Sequence, residues 1–528
     1  MPYRMTASVP ASSRRLRHRL ALSLCALLAT PAPAQTPGAE APSQPASVRA
    51  SVLPSLGEAA SSGLNAAEER RLGDEVMRQI RADPDYLDDP ILLDYLQGQW
   101  LALMGAARRL GDVASDQEAH GAWEVFLLRD RSVNAFALPG GYVGVYLGML
   151  ALTTTPDQLA SVLAHEMSHV TQRHIARMLG NQSRQGMVGL ATMVLGVLAA
   201  SRNPTAANAL IIGGQAAAAQ GQLNFSRDME READRVGYGV LSGAGYAGAG
   251  MAEMFEKLAQ ASRLTDDQSY PWLRTHPLTT ERIAEARSRA QSTPRPSGSP
   301  LLHAVMRARA QVLMDPRAQA WSRLAAAKDA PQAGAAERLS TASAAALAAA
   351  RLKDPARADA AQALARRLAQ GDAEATRALA WQGAELMIER ADARRSAAAV
   401  EQAGDDGSRT ALWLGARSAL LGGEADWRRS AEALQAKVAD TPNDATMWAL
   451  LASLAARLDQ PLRAVRAEAE SHLALGDLVG AIDRLQSGQR MARQQEAQDS
   501  MDAAVIESRL RELQARRQQE EREGLKRR

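Results

Sequence analysis

His165-Glu166-Met167-Ser168-His169 is the segment of this chain best equipped to do chemistry. Residues four apart share a helix face, so the two imidazoles can grip one metal ion together. Glu166, one position along from His165, can reach a water held by that ion. Zinc lowers the pKa of such a water toward about 7, and a neighbouring carboxylate can then take its proton, which is the chemistry of a metallopeptidase. Histidine is scarce, 8 in 528 residues, so a chance match to this spacing is rare.

The flanking residues predict the element that carries the pentad. Thr155-Pro156-Asp157-Gln158 supplies a hydroxyl cap, a proline in the first turn and an acid at the positive end. Leu159, Val162, Leu163, Met167 and Val170 follow at helical spacing, which predicts one helix running to about Leu179 and stopping at Gly180-Asn181. Leu163 and Val170 would pack beneath the site, with His165 and His169 facing a cleft.

Two histidines need a third protein ligand, with one position left for water. An extended H-E-x-x-H-x-x-G-x-x-H pattern would place glycine where Gln172 stands and histidine where Ile175 stands, so His174 reads as a supporting or surface histidine. Farther on, Glu230 and Asp234 share one face of an acidic run, Ser226 to Arg235. Glu230 can ligate the metal while Asp234 accepts a hydrogen bond from the far nitrogen of a ligand histidine. The alternative for such a run is a solvated charged face. Before the pentad, Trp123 to Leu128, Val133 to Leu138 and Tyr142 to Tyr146 read as short strands. A small sheet with an exposed edge can bind an extended peptide through its backbone, and plain core strands are the alternative.

Residues 65–290 resemble the zinc metallopeptidases of the HtpX and BepA type. The resemblance runs through Asn134-Ala135-Phe136-Ala137-Leu138-Pro139-Gly140-Gly141, the pentad, Glu230 to Asp234, and Thr275-His276-Pro277-Leu278 with Arg282. It implies a mainly α protein: a gluzincin-type α+β metallopeptidase domain with a small sheet, followed by an all-α tetratricopeptide-repeat superhelix. It implies one zinc ion per chain held by His165, His169 and Glu230, with Glu166 as general base and Asp234 supporting catalysis. In the BepA branch the histidine of the T-H-P loop, here His276, is implied to take the fourth zinc position in a resting enzyme. A loop or helix-cap histidine without a metal role is the alternative.

Four arginines, Arg14, Arg15, Arg17 and Arg19, precede an apolar run from Leu20 to Leu28, and Ala32-Pro33-Ala34 follows as a small-x-small cleavage signature. This predicts a secretory signal peptide over 1–34 and a periplasmic protein. Cleavage would remove Cys25, the one cysteine, and five arginines with no acid, so a net charge of +3 less five becomes −2. The basic balance therefore belongs to the signal and gives no argument for nucleic acid. Residues 35–64 read as an extended Ala/Pro/Ser-rich segment. Met187 to Ala200 and Ala206 to Ala219 are apolar but shorter than the roughly 18–20 residues that span a bilayer. They read as a helical hairpin buried against the peptidase or lying on a membrane surface as a peripheral contact.

All four phenylalanines lie before residue 256, and after a Pro/Ser linker at 291–300 the chain turns alanine-, leucine- and arginine-rich. Helical stretches separated by short breakers occupy 301–515, with a charged tail at 516–528. Gly476-Asp477 with Ala481, and Trp448, Leu451 and Ala464 before them, fit tetratricopeptide repeats; a plain helical bundle is the alternative. With this domain order the resemblance implies a periplasmic zinc endopeptidase with chaperone-like activity in quality control and assembly of outer-membrane β-barrel proteins. Its partners would be unfolded or misassembled outer-membrane proteins and, through the repeats, the barrel-assembly machinery. A chaperone or adaptor with a normally closed metal site, and a scaffold with a vestigial pentad, are the other classes.

Overall fold

The computed structural model describes residues 64–179, 227–263, 269–290, 298–494 and 500–527. The predicted signal peptide, nearly all of the N-terminal extension and the apolar hairpin of 187–219 lie outside the described residues. Helix α1 (Ala66–Arg81) starts at a reciprocal cap: Asn65 accepts from the Glu68 N–H, and Glu68 accepts from the Asn65 N–H. Then come β1 (Tyr86–Leu87), α2 (Pro90–Leu110), α3 (Ser115–His120), β2 (Glu124–Leu128), β3 (Ala135–Leu138), β4 (Tyr142–Tyr146) and α4 (Leu147–Leu152). The pentad lies on α5 (Pro156–Thr171), followed by α6 (His174–Leu179), α7 (Arg227–Gly243), α8 (Ala249–Ser262), α9 (Pro271–Thr275) and α10 (Thr280–Ala290).

The three strands expected from sequence form, and the two-residue β1 joins them in the order β1-β2-β4-β3. β2 and β4 are parallel; β1 and β3 pair antiparallel at the two edges. Side chains alternate across the sheet. Val125, Leu127, Val143 and Val145 enter the core shared with α2 and α5. Phe126, Leu128, Tyr142 and Tyr146 meet Val76, Met77 and Ile80 of α1 on the other face. Both faces are thus buried, which explains why β2 reads as a continuous apolar run.

The single helix expected from Pro156 to Leu179 is two helices. Thr155 caps its start as expected, accepting from the Gln158 N–H. The break comes at Arg173, whose φ is 54°, a left-handed conformation outside any helix. Tertiary contacts hold it there: the Arg173 guanidinium lies 3.3 Å from the buried Glu69 carboxylate and donates to the Leu64 carbonyl. Helical periodicity continues through the break, so the sequence carries no sign of it.

From Pro300 onward every described element is a helix. These are α11 (Pro300–Leu313), α12 (Ala318–Ala325), α13 (Ala335–Arg351), α14 (Pro355–Leu368), α15 (Ala373–Glu389), α16 (Ala393–Ala403), α17 (Arg409–Ala419), α18 (Glu424–Asp440), α19 (Ala445–Arg457), α20 (Pro461–Ala474), α21 (Leu478–Gln494) and α22 (Met501–Arg527). The breakers act as caps: Asp354, Asp372, Asp392 and Asp444 each accept from a backbone N–H three residues on.

One core crosses from the peptidase region into these helices. Val305 and Ala310 of α11, Leu379 of α15 and Leu414 of α17 belong to the same apolar cluster as Trp100, Leu163 and Val240. Charges fasten the same seam. Arg309, 3% exposed, donates to Asp89 at the start of α2 at 2.8 and 2.6 Å and to Glu385 of α15 at 2.5 Å. Arg409 bridges Asp88 and Asp444 at 2.7 and 2.6 Å.

His303 on α11 ties this seam to the pentad helix. It is fully buried; Nε2 lies 3.1 Å from both the carbonyl and the hydroxyl of Thr153, two residues before the cap of α5, and Nδ1 lies 2.7 Å from the Tyr95 hydroxyl. Burial holds its pKa down at about 4. The unfolded chain therefore binds more protons between the ordinary value of about 6.5 and 4, so this stabilisation is complete above that range and is lost as pH falls through it. Denaturant unfolding should show a His303 contribution of about 3 kcal/mol disappearing between pH 7 and 4. A His303→Gln variant should lack that part of the pH slope; equal slopes in the two proteins would contradict the assignment.

Candidate metal centre

α5 and α7 build the centre by packing their backbones closely. Glu230, Asp234 and Gly237 follow at four- and three-residue steps and share a face of α7. A Cβ on Gly237 would lie 3.1 Å from the Ala164 carbonyl and 3.2 Å from the His165 nitrogen. Its absence lets α7 approach α5 and brings the two acids against the pentad. The loop after α9 adds His276.

His165, His169, Glu230 and His276 are all buried, and one ligand atom from each lies within 4.8 Å of the others, a group that could hold a metal ion. His165 Nε2 is 3.1 Å from His169 Nε2, 3.3 Å from His276 Nδ1 and 3.5 Å from Glu230 Oε2. Glu230 Oε1 lies 3.0 Å from His276 Nδ1 and 3.5 Å from His169 Nε2. Glu166, 0% exposed, sits beside the group, with Oε1 3.6 Å from His276 Nε2.

The far nitrogens of the pentad histidines each face another side chain. His165 Nδ1 is 3.1 Å from Asp234 Oδ1, and His169 Nδ1 is 2.8 Å from His174 Nδ1. The break after α5 is what folds His174 back onto His169, and His174 Nε2 continues to Glu232 at 3.0 Å, itself paired with Arg177. Arg282 of α10 donates to both oxygens of Asp234 at 2.7 and 2.9 Å and reaches Glu230 Oε2 at 2.8 Å. Burial would raise Glu230, but His276 and His165 hold it well below the usual carboxylate range. Asp234 is likewise lowered against its burial, by Arg282 and His165. Burial opposes charge on His165, yet its hydrogen bonds to Asp234 and Glu230 prevail and raise it to about 9. His169 is driven well below its ordinary value, first by burial and then by charge interaction with the neighbouring imidazoles.

The donor set fits zinc. Three imidazoles and a carboxylate are ligand types zinc accepts in a four-coordinate site. Counted as carboxylates, Glu166, Glu230 and Asp234 carry three negative charges against one from Arg282, and the remaining two match a divalent cation. Glu166 Oε2 is sealed from solvent without a hydrogen-bond partner, which is costly unless the working site supplies one.

The comparisons with known proteins agree with this geometry. The model of peptidase family M48 matches residues 104–290. The beta-barrel assembly-enhancing protease of Escherichia coli (strain K12) is 34% identical over 264 residues, 50% of this chain and 52% of that protein. Its Yersinia pestis namesake is 35% identical over 249 residues, 47% and 49% of the two chains. The metalloprotease LoiP of Escherichia coli (strain K12) is 31% identical over 191 residues, 35% of this chain and 67% of its own length. The chain belongs to peptidase family M48. M48 metallopeptidases are zinc-dependent, and the buried group offers one place for the ion. The chain spans about half the length of the beta-barrel assembly-enhancing proteases it matches.

Every residue singled out in the sequence for an M48 centre is brought together: both pentad histidines, Glu166, Glu230, Asp234 and His276. Glu232, the neighbouring acid, serves His174 instead. Two residues escaped sequence reasoning. Arg282 was visible in the matched pattern but without a role, and Trp272, four residues before His276, carries no motif of its own. A buried arginine facing two acids is a signal only once the helices are placed.

The raised His165 pKa has a measurable consequence. The metal-free protein carries that proton at neutral pH and must release it to bind a cation, so affinity rises with pH up to about 9. Titration calorimetry with zinc in two buffers of different ionisation enthalpy should show about one proton released per ion at pH 7. Release near zero would contradict the charge assignment.

Proposed function

We propose that this chain is a periplasmic zinc endopeptidase with chaperone-like activity, acting on outer-membrane β-barrel proteins that are unfolded or misassembled. One observation carries the reading: His165, His169, Glu230 and His276 present donor atoms to one buried point, with the Glu166 carboxylate beside it. His165, His169 and Glu230 would hold zinc, and Asp234 and His174 would orient the two pentad imidazoles. When bound, the ion supplies Lewis acidity toward water and the scissile carbonyl.

The chain's own residues do the proton work. Glu166 removes a proton from the attacking water as its oxygen bonds to the carbonyl carbon. The same carboxylic acid then gives that proton to the amide nitrogen as the C–N bond breaks. A substrate segment extended along the edge strand β3 would reach this point from the side of the cleft lined by Glu69, Trp123, Gly141, His169 and Arg173. With His276 in place, four protein donors would hold the ion and leave no position for water, so we read the described state as resting.

The names of the beta-barrel assembly-enhancing relatives support the substrate class, and the helices after Pro300 supply a surface for the barrel-assembly machinery. The tetratricopeptide reading rests on the turn between α20 and α21. Gly476 takes φ 83°, Asp477 accepts from the Gly480 N–H at 2.8 Å, and Ala481 is buried one turn on. No described helix is long and apolar enough to cross a membrane.

Two variants test the reading together on an unfolded outer-membrane protein. Glu166→Gln should keep stoichiometric zinc and lose cleavage by about 100-fold or more. His276→Ala should keep zinc through three ligands and cleave faster than wild type. Wild-type turnover by the first variant would overturn the assignment of the base, and slower cleavage by a folded, zinc-loaded second variant would overturn the resting state.

A further inference from the structure

One buried contact plays no part in holding the metal. The indole N–H of Trp272 donates to Glu166 Oε1 at 2.9 Å, while Glu166 Oε2 is sealed from solvent without a partner. The two oxygens of the base are therefore not equivalent. A glutamate has three side-chain torsions, and a general base must hold its proton acceptor within hydrogen-bond reach of the water. A fixed donor on Oε1, the oxygen that also lies 3.6 Å from His276 Nε2, removes most of that freedom.

Trp272 is built to stay where it is. It is 1% exposed and belongs to the main apolar core, packed near Phe255 and edge-on to His165 at 5.6 Å between ring centres. Its backbone N–H donates to the Val133 carbonyl, and the Val133 N–H donates to Ser269 at 2.9 Å, so the start of this segment is stitched to the residues leading into β3. Beyond it Leu273 and Thr275 are half-buried and Arg274 is exposed. His276 stacks on the Trp272 ring at 4.9 Å with the planes 23° apart. Arg282, the other strong donor nearby, is committed to Asp234 and Glu230.

We propose that Trp272 is the positioning residue of the general base: its indole fixes Oε1 of Glu166, sets the orientation of the carboxylate beside the donor group, and keeps this hold when His276 leaves the metal. This rests on the peptidase reading above. It differs from a latch, in which Trp272 would block the base and leave together with His276. Phenylalanine keeps an aromatic ring but removes the N–H together with part of the indole, and the Glu166→Gln background separates the lost hydrogen bond from the lost packing.

The test compares the full-length zinc-loaded His276→Ala protein with the same protein carrying Trp272→Phe, so that any latch is already open. Positioning predicts a kcat lower by about 10- to 100-fold with KM and zinc content unchanged, as expected for loss of a hydrogen bond to a charged group. In a Glu166→Gln background, Trp272→Phe should cause no further loss. A second readout needs no turnover. The Trp272 indole N–H resonance, identified in 15N-labelled protein by its disappearance in Trp272→Phe, should shift when Glu166 becomes Gln. An unchanged or higher kcat for Trp272→Phe, or an indole resonance indifferent to Glu166→Gln, overturns the positioning role. If the zinc-loaded His276→Ala parent itself cleaves nothing, the peptidase reading fails first and this role with it.

Discussion

Arg282 holds together a set of groups that water would otherwise have to solvate. Glu230 and Asp234 are 1% and 2% exposed, and one guanidinium, itself 3% exposed, grips both. Carboxylates buried this deeply survive only when paired and hydrogen-bonded, and removing one partner of such a network typically costs about 3–5 kcal/mol. The planar guanidinium fork suits the task because it meets Asp234 through two parallel bonds and still has a nitrogen free for Glu230. With the acids fixed, Asp234 orients His165 and Glu230 faces the shared donor point. The residual negative charge is what makes the cluster a seat for a cation.

That cluster needs two helices closer than ordinary side chains permit. Gly237 provides the approach of α7 to α5, the sheet with α1 supports α5 from one side, and α11 supports it from the other through His303 and Thr153. The helices after Pro300 are therefore part of what positions the centre. A core shared from Trp100 to Leu414 leaves no cut between residues 290 and 300 that spares both sides, so a truncated peptidase segment would expose apolar surface now buried.

Much of the centre was legible because its chemistry is local. The i, i+4 pairs His165–His169 and Glu230–Asp234 announce their faces by spacing alone, and the strands between Trp123 and Tyr146 are marked by β-branched and aromatic residues. The turn at Gly476-Asp477 was legible for the same reason, since a Gly-Asp break between helical stretches is a short-range feature. What the sequence hid depends on contacts between distant segments. The break at Arg173 is imposed by Glu69 and Leu64, more than a hundred residues upstream in each case, and no local residue demands it. The hold of Trp272 on Glu166 spans 106 positions. The pairing of Arg309 with Asp89 spans 220, and its charge reads in sequence as one of many surface arginines.

The central claim is that three imidazoles and one carboxylate converge on a single zinc ion, with Glu166 outside the coordination shell. X-ray absorption at the zinc edge on the full-length protein tests it most directly, because it counts and types ligands without a crystal. The account predicts one ion per chain with three imidazole nitrogens and one carboxylate oxygen at about 2.0–2.1 Å, and loss of one imidazole in His276→Ala. A wild-type site with two or fewer imidazoles, or with no stoichiometric zinc, would contradict it.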